Sequence, residues 1–269
     1  MPVTDHHVHL YPEALNRDPA AWAAAHGEPH WAVLCCRRRK DGSPVQTFPS
    51  VAELLRAMDA AGVERAVLLG WYWQNPDNCT WQNRFYADCV RAHPDRLSAY
   101  ATIHAGSPPA LVSDELQRAR DDGLSGLGEL SPHSQGVGFG AAGFLQALDL
   151  AATWEWPVNL HVTEPLSRPY PGRVDTPLAD FETLARRWFG VRFILAHWAG
   201  GLDVRSLPNV QVDTAAAPLI YGDQAWAMIG RTVNPDQVLF GSDHPLRLYP
   251  KDDPGDGWGR FVAEAKFHL

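Results

Sequence analysis

Asp5-His6-His7-Val8-His9 ends a short apolar run that begins at Val3, and Gly241-Ser242-Asp243-His244-Pro245 ends another that begins at Val238. The reading of these two stretches decides the fold. Between them lie six more short apolar runs, at 65–71, 97–104, 124–130, 157–163, 191–197 and 210–214. Most are continuous rather than alternating, the pattern of parallel strands covered on both faces. Amphipathic stretches separate them at 51–61, 82–92, 111–122, 141–154, 177–188 and 223–231, punctuated by Gly and Pro, and these are expected to be helices. Strand and helix in alternation, eight times over, predicts an α/β protein built as a (β/α)8 TIM barrel. A doubly wound open sheet would carry a glycine-rich phosphate loop after its first strand, where this chain has histidines.

Composition agrees. The 269 residues are 45% hydrophobic and 20% charged, as in a folded domain rather than a disordered chain. No composition break divides them, so a single domain over 1–269 is expected, with a long first loop at about 11–50 that fits a lid or an interface. A net charge of −8 argues against nucleic acid as partner. No apolar run is long enough for a membrane span, and no export signal opens the chain, which points to a cytoplasmic protein. Four cysteines without metal-ligand spacing are expected to be reduced thiols.

Twelve histidines are too many to ignore, and their placement is ordered. His7 and His9 share the first strand, His104 ends the third, His161 lies in the fifth, and His197 ends the sixth. Glu129 ends the fourth and Asp243 the eighth. In a barrel the C-terminal strand ends converge on one mouth. Residues i and i+2 of a strand point to one side, so His7 and His9 can share one cation. A further His and a carboxylate complete a nitrogen and oxygen site for Zn, Mn or Fe. Glu129 could instead pair with an arginine, and His104 could line the mouth or merely cap its strand. His6 points the other way. His26, His30, His133 and His244 read as loop or surface residues.

Asp5-His6-His7-Val8-His9, Gly128-Glu129, His197-Trp198-Ala199-Gly200-Gly201 and Gly241-Ser242-Asp243-His244-Pro245 together resemble the amidohydrolase superfamily. They look most like its "amidohydrolase 2" branch of metal-dependent hydrolases and decarboxylases. The resemblance implies a first metal on His7, His9 and Asp243. In mononuclear members His161 is a further ligand and His197 a catalytic or water-orienting residue. In dinuclear relatives similar to TatD-type enzymes, the glutamate at Glu129 bridges two ions, and His161 and His197 hold the second. No lysine on the fourth strand could serve as a carboxylated bridge. One or two divalent ions, zinc first, are therefore expected as cofactor. Asp243 would take a proton from a metal-activated water and pass it on, while His197 holds the second ion or stabilises the oxyanion.

The loops suggest a small acidic or cyclic substrate. Trp71, Trp73 and His104 would line the mouth, and Arg168, Tyr170 and Arg173 would clamp a carboxylate. The basic run Arg37-Arg38-Arg39-Lys40 lies in the first loop. Hydrolysis of an amide, lactone or ester is the expected reaction, favoured by Glu129. Non-oxidative decarboxylation of an aromatic or unsaturated acid is the alternative. A non-catalytic metal-binding barrel is the third reading, disfavoured because structural zinc usually sits in a closed, cysteine-rich site. The aromatic loops could equally form a homodimer interface.

Overall fold

The computed structural model describes residues 2–251 and 255–269. All eight expected strands form: β1 (Thr4–Val8), β2 (Arg65–Leu69), β3 (Leu97–Tyr100), β4 (Leu127–Leu130), β5 (Val158–Leu160), β6 (Phe193–Leu195), β7 (Val210–Asp213) and β8 (Val238–Leu239). Every pairing is parallel and follows chain order, in two sheets, β1-β2-β3 and β4 through β8. Single parallel bridges span both seams, Ala101 to Leu127 and Val8 to His244. Short strands suffice because their apolar faces pack on both sides, and one buried cluster runs through strands and surrounding helices.

The first loop is not bare. It holds α1 (Glu13–Asn16), α2 (Pro19–His26) and α3 (Pro29–Cys35), and α4 (Val51–Ala61) follows. Ser50 and Glu53 form a capping box at the start of α4, and left-handed Gly62 ends it. The remaining helices are α5 (Pro76–Ala92), α6 (Pro109–Asp121), α7 (Ala142–Trp154), α8 (Leu178–Arg187), α9 (Ala217–Tyr221) and α10 (Trp258–His268). The helix expected over 223–231 does not form. Gly222, at φ 54° and ψ −129°, ends α9, and only a short 3-10 turn at Gly222–Gln224 and further turns follow. The cysteines are free thiols, as expected.

A second apolar cluster joins Tyr11, Leu15, Trp22, Trp31 and Cys35 of the first loop to Trp71, Tyr72, Trp73 and Cys79. It fastens that loop over the strand ends. Glu28 adds a polar tie, accepting from the backbone N–H of Gln74 (2.9 Å) and Asn75 (3.0 Å) and from Asn78 Nδ2 (2.6 Å). Beneath, α5 sends polar side chains inward. Gln82 Oε1 accepts from Trp71 N (2.8 Å), and Tyr86 donates its hydroxyl to Leu69 O (2.7 Å), so buried backbone groups beyond the strands stay satisfied.

The chain past Pro245 folds back as α10. Trp258 stacks on His244 at 4.2 Å, which buries a histidine expected at the surface. Its indole N–H donates to Asp5 Oδ2 at 2.8 Å. Asp5 Oδ1 meanwhile accepts from the N–H groups of His7 and Ser242, both at 3.0 Å, so one carboxylate ties α10 to the β1–β8 seam. Trp258→Phe keeps the stacking and loses the charge-assisted bond. It should lower unfolding free energy by roughly 1.5–3 kcal/mol in urea titration.

Candidate metal centre

His7, His9, Glu129, His161, His197 and Asp243 converge at one end of the strands. Glu129 stands between two histidine pairs. Its Oε2 lies 3.8 and 3.6 Å from His7 Nε2 and His9 Nε2, and its Oε1 lies 2.9 and 3.6 Å from His161 Nδ1 and His197 Nε2. Asp243 Oδ1 approaches the first pair at 3.8 and 3.5 Å, and its Oδ2 is 4.0 Å from His197 Nδ1. His161 is half-buried, and the other five are buried.

Two glycines make room for this crowding. A Cβ on Gly128 (φ 144°) would lie 2.6 Å from Asn159 Cβ, and one on Gly241 would lie 2.8 Å from His7 Cβ. The backbone next to Gly128 is tied to β2: Gly70 N donates to Gly128 O (2.6 Å), and Glu129 N donates to Gly70 O (2.7 Å). His197 opens a turn in which it, Trp198 and Ala199 all hold left-handed φ of 53° to 57°. Such a conformation costs a non-glycine residue about 1–2 kcal/mol. Here the His197 N–H donates to Asp213 Oδ1 (3.2 Å), and its carbonyl accepts from the Tyr221 hydroxyl (3.2 Å).

The outer hydrogen bonds fix which ring nitrogens face inward. His7 Nδ1 donates to Asp213 Oδ2 (2.8 Å), His9 Nδ1 to Leu69 O (3.0 Å) and His197 Nδ1 to Ala215 O (2.9 Å). Each acceptor has no hydrogen to give, so a neutral ring presents a bare Nε2 to the pocket. His7 Nε2 and His9 Nε2 then face each other at 3.2 Å. The Thr163 hydroxyl donates to Val174 O (2.7 Å), so it can only accept from His161 Nε2 at 3.3 Å. That leaves a bare His161 Nδ1 against Glu129 Oε1. With neutral rings, lone pairs face lone pairs in both places, and a proton or a cation between them relieves that opposition.

Titration behaviour reports the same demand. Burial works against charge on His7, yet Asp213, Glu129 and Asp243 outweigh it and lift its pKa to about 10. Burial likewise disfavours charge on His197, but Glu129 and Asp243 raise it to about 9. His9 moves the other way, to about 4, through burial and the neighbouring His7 charge. Burial disfavours ionisation of Glu129, but His161 and His7 hold its carboxyl well below the usual range. Imidazole and carboxylate donors in two triads, His7-His9-Glu129 and Glu129-His161-His197, fit divalent cations of borderline hardness.

The substrate-side expectations divide. Trp71 sits 5.4 Å from the His9 ring and stacks on Tyr72 at 4.4 Å, and Tyr72 lies 5.4 Å from the His161 ring. Together they wall the centre. Trp73 does not join them. It is fully buried in the second apolar cluster, with its indole N–H on Gln82 Oε1 (2.7 Å). His104 turns back on its own loop, its Nδ1 accepting from Gly106 N (3.2 Å). Arg168 is exposed, and Arg173 braces its own loop through Asp175 (3.0 Å) and the Pro165 carbonyl (3.2 Å). Tyr170 lies under the Arg37 guanidinium at 5.1 Å.

Sequence reasoning missed Asp213. Its carboxylate is fully buried and takes His7 Nδ1, Asn159 Nδ2 (3.0 Å) and the N–H groups of His197 (3.2 Å) and Ala215 (3.0 Å). Its place at the end of β7, level with the other strand-end ligands, was the available signal.

The family model for amidohydrolases, Amidohydro_2, matches residues 4–267, and the chain belongs to this family. No protein of curated function matches it closely enough to count as a relative. Among solved structures it is similar to an amidohydrolase II at a TM-score of 0.68 and 18% identity, covering 99% of this chain and 92% of that one. A second is the 5-carboxyvanillate decarboxylase of Novosphingobium aromaticivorans, solved with manganese and 4-hydroxy-3-methoxy-5-nitrobenzoic acid (TM-score 0.66, 17% identity, 100% and 96% covered). A third is a probable 2-pyrone-4,6-dicarboxylic acid hydrolase of Acinetobacter baumannii with citric acid bound (TM-score 0.59, 12% identity, 99% and 93% covered). The family and these folds mark an enzyme, hydrolase or decarboxylase. Among the described residues, no helix is long and apolar enough to cross a membrane.

Two outcomes follow for the centre. Asp213→Asn should weaken divalent-ion retention by about 10–100-fold, measured by Zn or Mn titration against a competing chelator. His7 and His197 hold protons below their raised pKa values, and cation binding must expel them. Apparent affinity should therefore climb with pH, by about tenfold per unit for each proton displaced, up to about 9 where His197 loses its proton, and less steeply to about 10 where His7 loses its own. A flat profile would contradict that exchange.

Proposed function

We propose that the chain, as one domain over 1–269, is a metal-dependent hydrolase that cleaves a C–N or C–O bond in a small acidic or cyclic amide, lactone or ester. The observation that supports this best is the split of Glu129, one oxygen toward His7 and His9, the other toward His161 and His197. His7, His9, Glu129 and Asp243 would hold one ion, and Glu129, His161 and His197 a second. Zinc is our first choice from the nitrogen and oxygen donor set, with Mn and Fe suited to the same ligands. Such ions supply Lewis acidity, making water a nucleophile near neutral pH and polarising a carbonyl.

Asp243 takes the proton of the attacking water and returns it to the leaving group. Burial pushes its carboxyl up to about 7 against the pull of His7 and His197, a range suited to both halves of that transfer. Asp213 holds His7 in one tautomer, and the Ala215 carbonyl does the same for His197. Trp71 and Tyr72 present flat apolar surface to a planar substrate and keep bulk water off the cluster.

Metal-stripped and metal-restored protein should be assayed on lactones, amides, esters and hydroxybenzoates. The expected result is acid release that vanishes on chelation and returns with the ion. Asp243→Asn should lower turnover by about 10²–10⁴-fold while the protein stays folded. Release of CO2 without hydrolysis would replace this reading with decarboxylation. Full activity in protein freed of metal would end it.

A further inference from the structure

Arg37 and Arg39 come from the first loop, and Arg247 follows the Asp243 turn. Backbone pairing brings them together. Residues 37–45 form a tight hairpin, with Arg39 N on Ser43 O (2.8 Å), Val45 N on Arg37 O (3.3 Å) and a bridge between Arg38 and Pro44. The returning arm then pairs with the chain leaving the Asp243 turn: Gln46 bridges Leu246, and Arg247 N donates to Val45 O (3.0 Å). Alternation along the extended arm sets Arg37 and Arg39 on one side and Arg38 on the other. Arg39 Nη2 reaches the Arg247 carbonyl at 2.9 Å.

No carboxylate among the described residues lies within ion-pair distance of Arg37, Arg39 or Arg247. Each has one buried guanidinium nitrogen without a protein partner: Arg37 Nε, Arg39 Nη1 and Arg247 Nε. Asp41 is nearest in sequence, but it is exposed and caps Ser43 through bonds of 2.9 and 2.6 Å. Burial, then the like charge of Arg247, press the pKa of Arg39 downward against the opposing pull of Asp41. Half-buried cations with unused donors, held close by a fixed backbone, favour an incoming anion.

The cluster borders the metal centre. The guanidinium of Arg37 lies over the Tyr170 ring at 5.1 Å, Leu246, next to Arg247, donates its N–H to Asp243 O (3.0 Å), and Thr47 N donates to Pro245 O (3.3 Å). We propose that Arg37, Arg39 and Arg247 form an oxyanion-binding face that takes a substrate carboxylate remote from the bond that breaks. This deepens the hydrolase reading and rests on it for the position of the reacting carbonyl. It moves the carboxylate clamp from Arg168 and Arg173 to the neighbouring first loop and the chain after Asp243.

Isophthalate, benzoate and inorganic phosphate serve as probes for calorimetric binding to the full-length, metal-restored protein. Isophthalate can place one carboxylate at the centre and one on the arginines, whereas benzoate cannot do both. Isophthalate should bind about tenfold to hundredfold more tightly than benzoate. Arg37→Gln and Arg247→Gln should each erase most of that gap while leaving metal content and benzoate binding unchanged. Arg37→Lys should restore part of it, since an ammonium keeps charge and lacks the fork. Wild-type isophthalate binding in both Gln variants overturns the proposal. So does phosphate that competes as strongly as isophthalate, which would assign the face to phosphate groups. Should a Gln variant melt early, Arg37→Lys and Arg247→Lys carry the comparison, and no loss in either overturns it. An isophthalate preference that persists in a protein without hydrolase turnover sinks the hydrolase reading and leaves this face standing.

Discussion

The carboxylate of Asp213 is the contact on which the centre depends. It sits at the end of β7 and binds groups from β1, β5 and the turn after β6 at once. A buried carboxylate without partners would be costly, and four donors remove that cost. Burial raises its pKa in isolation, but His7 and His197 outweigh that and keep it ionised. Its charge in turn sets the tautomer of His7 and helps hold the left-handed turn of His197. One buried anion thus aligns a member of each histidine pair, although the two are far apart in sequence.

The aromatic residues have a different task. Most of the tryptophans near the mouth do not face it. Trp22, Trp31 and Trp73 build a second apolar cluster whose effect is to fix the first loop in place. That loop contributes α3 and the arginine hairpin, and its far arm pairs with the chain after Asp243. A connection of such length would otherwise be mobile. Here it is packed, so it forms a standing wall rather than a free lid. Trp71 and Tyr72 lie where this cluster meets the centre, and they serve both.

The strands and the convergence of the acidic and histidine side chains were legible in the sequence because both follow from the strand pattern. Continuous β-branched runs announce buried parallel strands, and strand-end residues of a barrel must share one mouth, so His7, Glu129, His161, His197 and Asp243 could be placed together. What depended on side-chain direction was not legible. Trp71 and Trp73 are two apart in an irregular segment, and nothing local says that one faces the site and the other the core. The stretch 223–231 has helical periodicity, but Gly222 turns the backbone out of helix before it starts. The helix after Gly257 was unread because Gly259 interrupts its first turn. Arg168 and Arg173 lie in a loop after a ligand strand, as a clamp should, yet one is solvated and the other braces its own loop. Arg37, Arg39 and Arg247 owe their grouping to a hairpin paired with a segment some 200 residues away, a contact no local pattern announces.

Charge is segregated across this end of the barrel. Glu129, Asp213 and Asp243 crowd the floor, while Arg37, Arg39 and Arg247 stand on the rim, none of them in ion-pair distance of a carboxylate among the described residues. The overall charge of −8 would on average repel an acidic substrate. The rim therefore supplies the local attraction that the protein as a whole lacks. An incoming acid is attracted at the rim by the guanidinium groups, and at the floor only through the cations that the carboxylates there would hold. That arrangement would hold one carboxylate on the guanidinium groups and leave an uncharged carbonyl toward the histidines. The same pose lays a flat body along Trp71 and Tyr72, where burial of apolar area adds to the ionic contact. Orientation then comes from the arrangement of fixed charge, and the floor need not discriminate between substrates by shape alone.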